Sequence, residues 1–292
     1  MAKSPRSGGV KRVEGESDLT PDVMQALLSQ LATSRNSEEV DAAQDIMFDA
    51  WECDDRRKRI SLARKALKVS PLCADAYTLL AQETAKTPQE ALDLYQNAFD
   101  AGEQALGKAA FDEDVGMFWG LIETRPYMRA RQGLASALWE VGRLDEAVAH
   151  LGDMLRLNPN DNQGLRYLLI DWLQQLGRDA EAARLFKRYR GDAAAAWLWP
   201  AALAAFRKSG DGTASRTALR RALAANYHVR DYLMGRARLP RDLPPFILQG
   251  EAPEAAAYAA RAEATWSDTP GALPWLATQT RNRGRSDAGP PA

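Results

Sequence analysis

The chain has 292 residues, of which 46% are hydrophobic and 26% charged, and its formal net charge is −1. A chain of this size can bury a substantial core, and the near-zero charge gives no general attraction to nucleic acid or to anionic membranes. Its two cysteines, Cys53 and Cys73, form no CxxC pair, so we expect reduced thiols and a cytoplasmic location.

The N-terminal residues predict a tail followed by a helix. Residues 1–18 contain four basic side chains and no apolar run, which is typical of a disordered basic tail and not of a secretory signal. Over 19–36, Asp18 or Thr20 can cap a helix that has Pro21 in its first turn.

A second helix is predicted to start at Ser37, with an apolar face that extends to Trp51, and a basic stretch follows it. It begins at Arg56 and ends at Lys68, and no aromatic side chain that could stack on a base lies between them. The stretch therefore predicts a solvated helix face, and a nucleic-acid partner is not expected.

Residues 126–159 predict two amphipathic helices joined by one tight turn. Gly142 stands where the end of the first helix needs a left-handed residue, and Asn158-Pro159 ends the second helix. Neither helix can bury its apolar stripe alone, so the unit must repeat or pack on another. The stripes consist of Leu134, Leu138 and Val141 in the first helix and Leu144, Ala147, Val148, Leu151 and Leu155 in the second.

This hairpin resembles the tetratricopeptide repeat (TPR), a helix-turn-helix of 34 residues. The positions that carry the resemblance are Leu134, Ala135, Gly142, Leu144, Ala147, Leu151 and Pro159. Related skeletons recur around Gly177 and Gly210, and upstream around Thr87-Pro88. The resemblance implies an all-α, right-handed solenoid of helical hairpins over 37–227. A C-terminal extension with a helical cap would follow over 228–277, and a disordered tail over 278–292.

The repeats are interrupted by an apolar insertion. Ala98 and Met154 fill the same repeat position but lie 56 residues apart, against 34 for one repeat, so about 22 residues are added within 100–125. The segment contains Phe118 and Trp119 and is too apolar to stay in water. Two interpretations remain open, an extension of the core and a lip over a pocket.

A second resemblance concerns the C-terminal third. Tyr232-Leu233, the Leu- and Pro-rich stretch up to Pro245, and an alanine-rich helix with Tyr258 and Trp266 resemble the suppressor of tumorigenicity 7 family. The family implies no catalytic residues for these positions.

The sequence contains no motif that indicates catalysis, a cofactor or a metal. Gly102–Lys108 has phosphate-loop spacing, but Ala109 replaces the hydroxyl residue and a helix precedes it. His150 and His228 have no neighbours at metal-ligand spacing, and we expect His150 at a solvated rim. The longest uncharged run, 193–206, is shorter than the roughly 20 residues of a membrane span. We expect no enzyme, no cofactor and no membrane partner.

The TPR resemblance implies a concave groove lined by the first helix of each hairpin. Gln132 and Ser136 depart from the Lys and Asn of repeats that bind chaperone C-termini, which disfavours that ligand. The predicted partner-binding residues are Arg125, Arg129, Gln132, Ser136, Trp139, Tyr167, Asp171, Gln174 and Arg207.

Three of these residues have two interpretations. Trp139 is either a packing residue between repeats or a platform for a ligand. Arg125 and Arg129 lie near a helix start, where the macrodipole opposes a cation. Their partner is either a carboxylate of the insertion, such as Glu123 or Asp114, or an anionic ligand.

The sequence thus predicts a protein-interaction scaffold that binds a peptide or partner segment in the groove without catalysis. The pattern leaves the partner and the oligomeric state open. One alternative is a small-molecule-binding or enzymatic protein with a pocket between the 100–125 insertion and the groove. A third hypothesis is a nucleic-acid-associated factor that uses the 56–68 helix and the N-terminal tail.

Overall fold

The computed structural model describes residues 37–242 and 248–281, and all regular structure in these two ranges is helical, with no strand. The all-α prediction is therefore confirmed. The predicted tail 1–18 and helix 19–36 lie outside the described residues.

The helices follow one another with short connections. In chain order they are α1 (37–51), α2 (Arg56–Val69), α3 (Ala74–Thr84), α4 (Pro88–Glu113), α5 (Arg125–Glu140), α6 (Leu144–Leu157), α7 (Leu165–Gln175), α8 (Asp179–Arg188), α9 (Ala195–Ser209), α10 (Thr213–Ala225), α11 (His228–Leu233), α12 (Ala252–Asp268) and α13 (Ala272–Arg281).

Glycine turns join the central helices into hairpins, as predicted. Gly142 has a φ of 82° and Gly177 a φ of 66°, the left-handed region that a glycine adopts without a Cβ penalty. After Gly142, the Arg143 amide donates to the Leu138 carbonyl at 2.9 Å, which satisfies a carbonyl that the helix end leaves free. The helix pairs α5–α6, α7–α8 and α9–α10 pack against each other across such turns.

The insertion extends the core. Helix α4 runs for 26 residues and is broken by the non-helical Gly107, after which 114–124 forms turns. Phe118 is fully buried, with its ring 5.2 Å from that of Phe111 and 6.0 Å from that of Tyr127. At Phe118, the insertion is therefore an extension of the core, the first of its two interpretations.

The C-terminal helices form a second core with α9 and α10. Trp199 and Trp266 are fully buried with ring centroids 5.8 Å apart, and the Trp266 indole donates to the Tyr258 hydroxyl at 2.9 Å. Helix α12 contacts both α7 and α9. The predicted start of the disordered tail at 278 is wrong, because α13, with Leu276 buried, continues to Arg281.

Within the described ranges, no helix combines the length and the apolar character that crossing a bilayer requires.

Replacement of glycine by alanine is expected to have opposite effects on stability at two helical positions. A Cβ on Gly133 of α5 would lie 2.1 Å from the Tyr95 ring of α4, whereas a Cβ on Gly152 of α6 meets nothing within 4 Å. Alanine gains about 1 kcal/mol over glycine in a helix, but overpacking costs about 1–3 kcal/mol. We expect Gly152→Ala to raise the free energy of unfolding by about 0.5–1 kcal/mol and Gly133→Ala to lower it by about 1 kcal/mol.

Urea denaturation of the two variants measures this difference directly, and each variant serves as the matched control of the other. A Gly133→Ala variant that is as stable as wild type or more stable would show that α4 and α5 do not approach closely at Gly133.

Candidate partner-binding surface

A buried carboxylate joins three helices on the side where the groove was predicted. Asp75, in the first turn of α3, is fully buried. Arg129 of α5 donates from Nε to Asp75 Oδ1 at 2.9 Å, and Gln44 of α1 donates to Asp75 Oδ2 at 2.9 Å. The α3 macrodipole favours a carboxylate at this position. Arg129 is therefore paired with Asp75, and the expectation of a partner in the insertion is wrong.

A pocket of about 390 Å³ lies beside this junction, between α1 and the start of α5. One wall is formed by 122–129, and we call the cavity the α1/α5 pocket. Phe48 and Ile122, on opposite walls, expose 50% and 66% of their surface. The α1 wall consists of Val40, Asp41, Gln44, Asp45 and Phe48.

Arg125 in this pocket is held by the insertion, although by no carboxylate. Its Nε donates to the Trp119 carbonyl at 3.0 Å, and its guanidinium carbon lies 5.6 Å from the centre of the Trp119 ring. The partner of Arg125 is therefore Trp119, through its carbonyl and its ring, and not the predicted Glu123 or Asp114.

The next predicted residues fill the space between helices. Trp139 of α5 stacks on Trp172 of α7, with centroids 4.4 Å and planes 4° apart. Of its two interpretations, the structure shows the packing residue. Gln132 accepts a hydrogen bond from Gln163 at 3.0 Å, and Ser136 is half-buried.

Helix α12 and its C-cap residue contact two of the predicted residues, Asp171 of α7 and Arg207 of α9. Arg261 donates to Asp171 at 2.8 Å, and the α12 C-cap residue Thr269 accepts from Arg207 Nε at 3.0 Å. The Gln174 side chain donates to the Pro200 carbonyl at 2.7 Å. Asp171 and Gln174 are 5% and 3% exposed, so the open groove that the sequence predicts at these two positions is not found.

Tyr167, the remaining predicted residue, is engaged at the edge of the same region. Its hydroxyl donates to Asp192 at 2.8 Å, and the guanidinium of Arg166 lies 4.2 Å from its ring centre. Of the predicted groove residues, Arg125 and Arg129 line the α1/α5 pocket, and Tyr167 lines a smaller pocket of about 280 Å³ with Arg261.

Gly102 and His150, which the sequence analysis weighed as parts of other sites, make contacts within the fold. Gly102 lies inside α4, where a Cβ would come within 3.1 Å of the Tyr127 Cα, so close helix packing explains this glycine. His150 is half-buried and accepts from Arg131 at 3.2 Å, and burial lowers its pKa. The described part of the chain holds no group of three or more side chains that could ligate a metal.

A family model described as ST7 protein matches residues 25–194, more than half of the chain. The chain belongs to the ST7 family. The match contains both walls of the α1/α5 pocket and ends before α9, so it lies outside the C-terminal third, in which the sequence analysis placed the resemblance.

Curated relatives from several animals share about the same similarity. The ST7 homolog of Caenorhabditis elegans is 28% identical over 277 residues, covering 80% of this chain and 50% of the relative. The suppressor of tumorigenicity 7 protein-like of Bos taurus is 28% identical, covering 78% and 45%. The suppressor of tumorigenicity 7 protein of Macaca fascicularis is 27% identical, covering 82% and 53%. The chain thus spans about half the length of the curated relatives it matches.

The sequence analysis missed Asp75 and Gln44, which form the junction that holds Arg129, and Arg261, which pairs with Asp171. The only available signal was the misfit of Arg129 near a helix start, which indicated an anionic partner but not its position.

The buried Asp171 generates a prediction of pH dependence. Burial raises the pKa of Asp171 above its ordinary value of 3.8 more than the Arg261 guanidinium lowers it. The folded protein therefore holds this proton to a higher pH than the unfolded chain, and this group's contribution to stability falls as pH rises from 3.8 through the folded value. Asparagine does not titrate, so we expect the stability of Asp171→Asn relative to wild type to rise across that interval.

Chemical denaturation of both proteins at several pH values measures this trend. Asp268→Asn, at an exposed position of α12, is the matched control and should show no comparable trend. A relative stability of Asp171→Asn that falls with rising pH would contradict the argument.

Proposed function

We propose that this ST7-family protein is a cytoplasmic, TPR-like scaffold that binds a segment of a partner protein at the α1/α5 pocket, without catalysis. Left-handed glycines at 142, 177 and 210 end successive first helices at intervals of 35 and 33 residues, close to the TPR period. The free thiols of Cys53 and Cys73 support the location.

The exposed apolar side chains at the pocket carry this proposal. Phe48 and Ile122 stand 50% and 66% exposed on opposite walls, beside Val40 and Pro126. Contiguous exposed apolar surface with a polar rim is typical of protein-interaction sites. Burial of these side chains against a partner would make the free energy of binding more favourable.

At Asp171 and Arg207, α12 and its C-cap residue occupy the predicted groove. Helix α12 buries Tyr258 and Trp266 almost completely, and full burial of one large apolar side chain contributes about 1.5–3 kcal/mol. A partner would have to replace all of this burial to displace α12. We therefore place the partner at the α1/α5 pocket.

A small-molecule ligand is the second candidate. The volume of about 390 Å³ lies within the usual range for ligand pockets, and part of the insertion lines one wall. Arg129, however, already has Asp75 as its partner, and Arg125 has the Trp119 carbonyl. The protein scaffold explains the exposed Phe48 and Ile122 better.

Nucleic acid is less favoured, because the basic stretch of α2 is partly neutralised. Arg56 and Arg59 lie 3.0 Å and 2.6 Å from the carboxylate of Glu83. Those two cations are therefore engaged within the chain.

Affinity capture with pocket variants tests the scaffold. Phe48→Ser and Ile122→Ser each remove an exposed apolar side chain and leave the Asp75 junction intact. We expect the proteins enriched by wild type to fall at least fivefold with either variant, measured by quantitative mass spectrometry.

Leu248→Ser is the matched control, because Leu248 is 69% exposed and does not line the pocket. It should retain the wild-type set. Equal capture by wild type and by both pocket variants would refute the proposed surface.

A further inference from the structure

The outer face of α1 is strongly acidic. Residues 37–55 contain eight acidic side chains and no Lys or Arg, in a chain whose net charge is only −1. Four of them, Glu38, Asp41, Asp45 and Asp49, recur at intervals of three or four residues and are exposed, so they share one helix face. We call these four residues the acidic ridge.

The ridge borders an apolar trough. Val40, Gln44 and Phe48 recur every four residues, so they form the neighbouring stripe of α1, and all three line the α1/α5 pocket. Ile122 and Pro126 lie across from them. From Val40 to Phe48, eight residues further along the helix, the stripe is about 12 Å long. It could therefore accommodate about two turns of a second helix that lies along α1.

Around the trough, carboxylates outnumber the cations that lack a carboxylate partner. The charge of Arg129 is paired with that of Asp75, whereas Arg125 contacts the neutral Trp119 carbonyl and ring and keeps its positive charge. Glu123 adds a third exposed carboxylate to Asp41 and Asp45 at the pocket. Like charges four residues apart, such as Asp41 and Asp45, destabilise a helix by about 0.2–0.5 kcal/mol, and a cationic ligand would remove that repulsion.

We propose that the α1/α5 pocket binds a basic amphipathic helix of a partner protein, an inference that rests on the scaffold function above. Large apolar side chains at positions i, i+4 and i+7 of the ligand fill the trough between Phe48 and Ile122. Lys or Arg side chains beside them face the acidic ridge, which steers the encounter and fixes the orientation.

Other occupants lack this complementarity. Residues 19–36 of the same chain contain one aspartate and one arginine, so they bring no excess of cations. An acidic peptide or a nucleic acid is repelled by Asp41, Asp45 and Glu123.

The test uses a fluorescently labelled synthetic Leu/Lys helix and the full chain. We expect saturable binding by anisotropy that weakens as salt rises. Asp41→Lys/Asp45→Lys should weaken binding at least tenfold, Asp41→Asn/Asp45→Asn less strongly, and Phe48→Ser at least threefold. Thermal melting of each variant verifies the fold.

Two controls separate this site from general attraction of charges. Glu263→Lys/Asp268→Lys makes the same change in net charge at exposed positions of α12 and should bind as wild type does. A peptide of the same composition, scrambled so that no apolar face forms, should bind at least tenfold more weakly.

The inference is overturned if the lysine pair on α1 and the lysine pair on α12 weaken peptide binding equally. It is also overturned if the scrambled peptide binds as tightly as the Leu/Lys helix. A peptide of residues 19–36 that binds as tightly as the Leu/Lys helix overturns it too, since it would identify an occupant within the chain. If the basic helix does not bind but Phe48→Ser and Ile122→Ser still lose captured proteins, the scaffold stands and the partner chemistry is wrong.

Discussion

An amphipathic hairpin cannot bury its apolar stripe without a neighbour, and this constraint governs the arrangement of the helices. The central hairpins meet it by packing on each other, as the stacked Trp139 and Trp172 illustrate. At the C-terminal side, α12 and α13 cover α9 and α10 with Trp266 and Trp275. Helix α1 still exposes Phe48 and Trp51. The two sides of the described structure therefore differ, and it is the exposed apolar surface of α1 that we propose as the partner-binding side.

Buried carboxylates fix the positions of helices that hydrophobic packing alone would hold loosely. Asp75 joins α1, α3 and α5 through Gln44 and Arg129, and Asp171 joins α7 to α12 through Arg261. A buried charge costs several kcal/mol unless it is paired, so each carboxylate requires its arginine in one place. One such pair, Asp75 with Arg129, thus lies beside the α1/α5 pocket, and the other, Asp171 with Arg261, links α12 to α7.

The sequence predicted what depends on local pattern and missed what depends on distant pairing. Helical spacing and the glycine at 142 predicted the hairpins, because a turn and an apolar stripe each depend on residues that are close in the sequence. The partner of Arg129 lies 54 residues away and that of Asp171 90 residues away. A periodic pattern carries no information on pairs this far apart. The sequence analysis therefore placed Asp171 and Gln174 on an open groove, whereas Asp171 pairs with Arg261 of α12 and Gln174 bonds to Pro200 of α9.

Rigid cover on one side favours binding on the other. A surface held by ion pairs and a dense aromatic core loses little conformational freedom when a ligand docks, so less of the contact energy is spent on ordering. Phe48 and Ile122 project from such a frame, because Gln44 ties α1 to Asp75 and the buried Phe118 holds the segment before Ile122. A partner segment that covers these side chains would bury apolar surface without displacing any of the helices α1 to α13. We therefore propose the trough between α1 and α5, and not the surface that α12 covers, as the binding site.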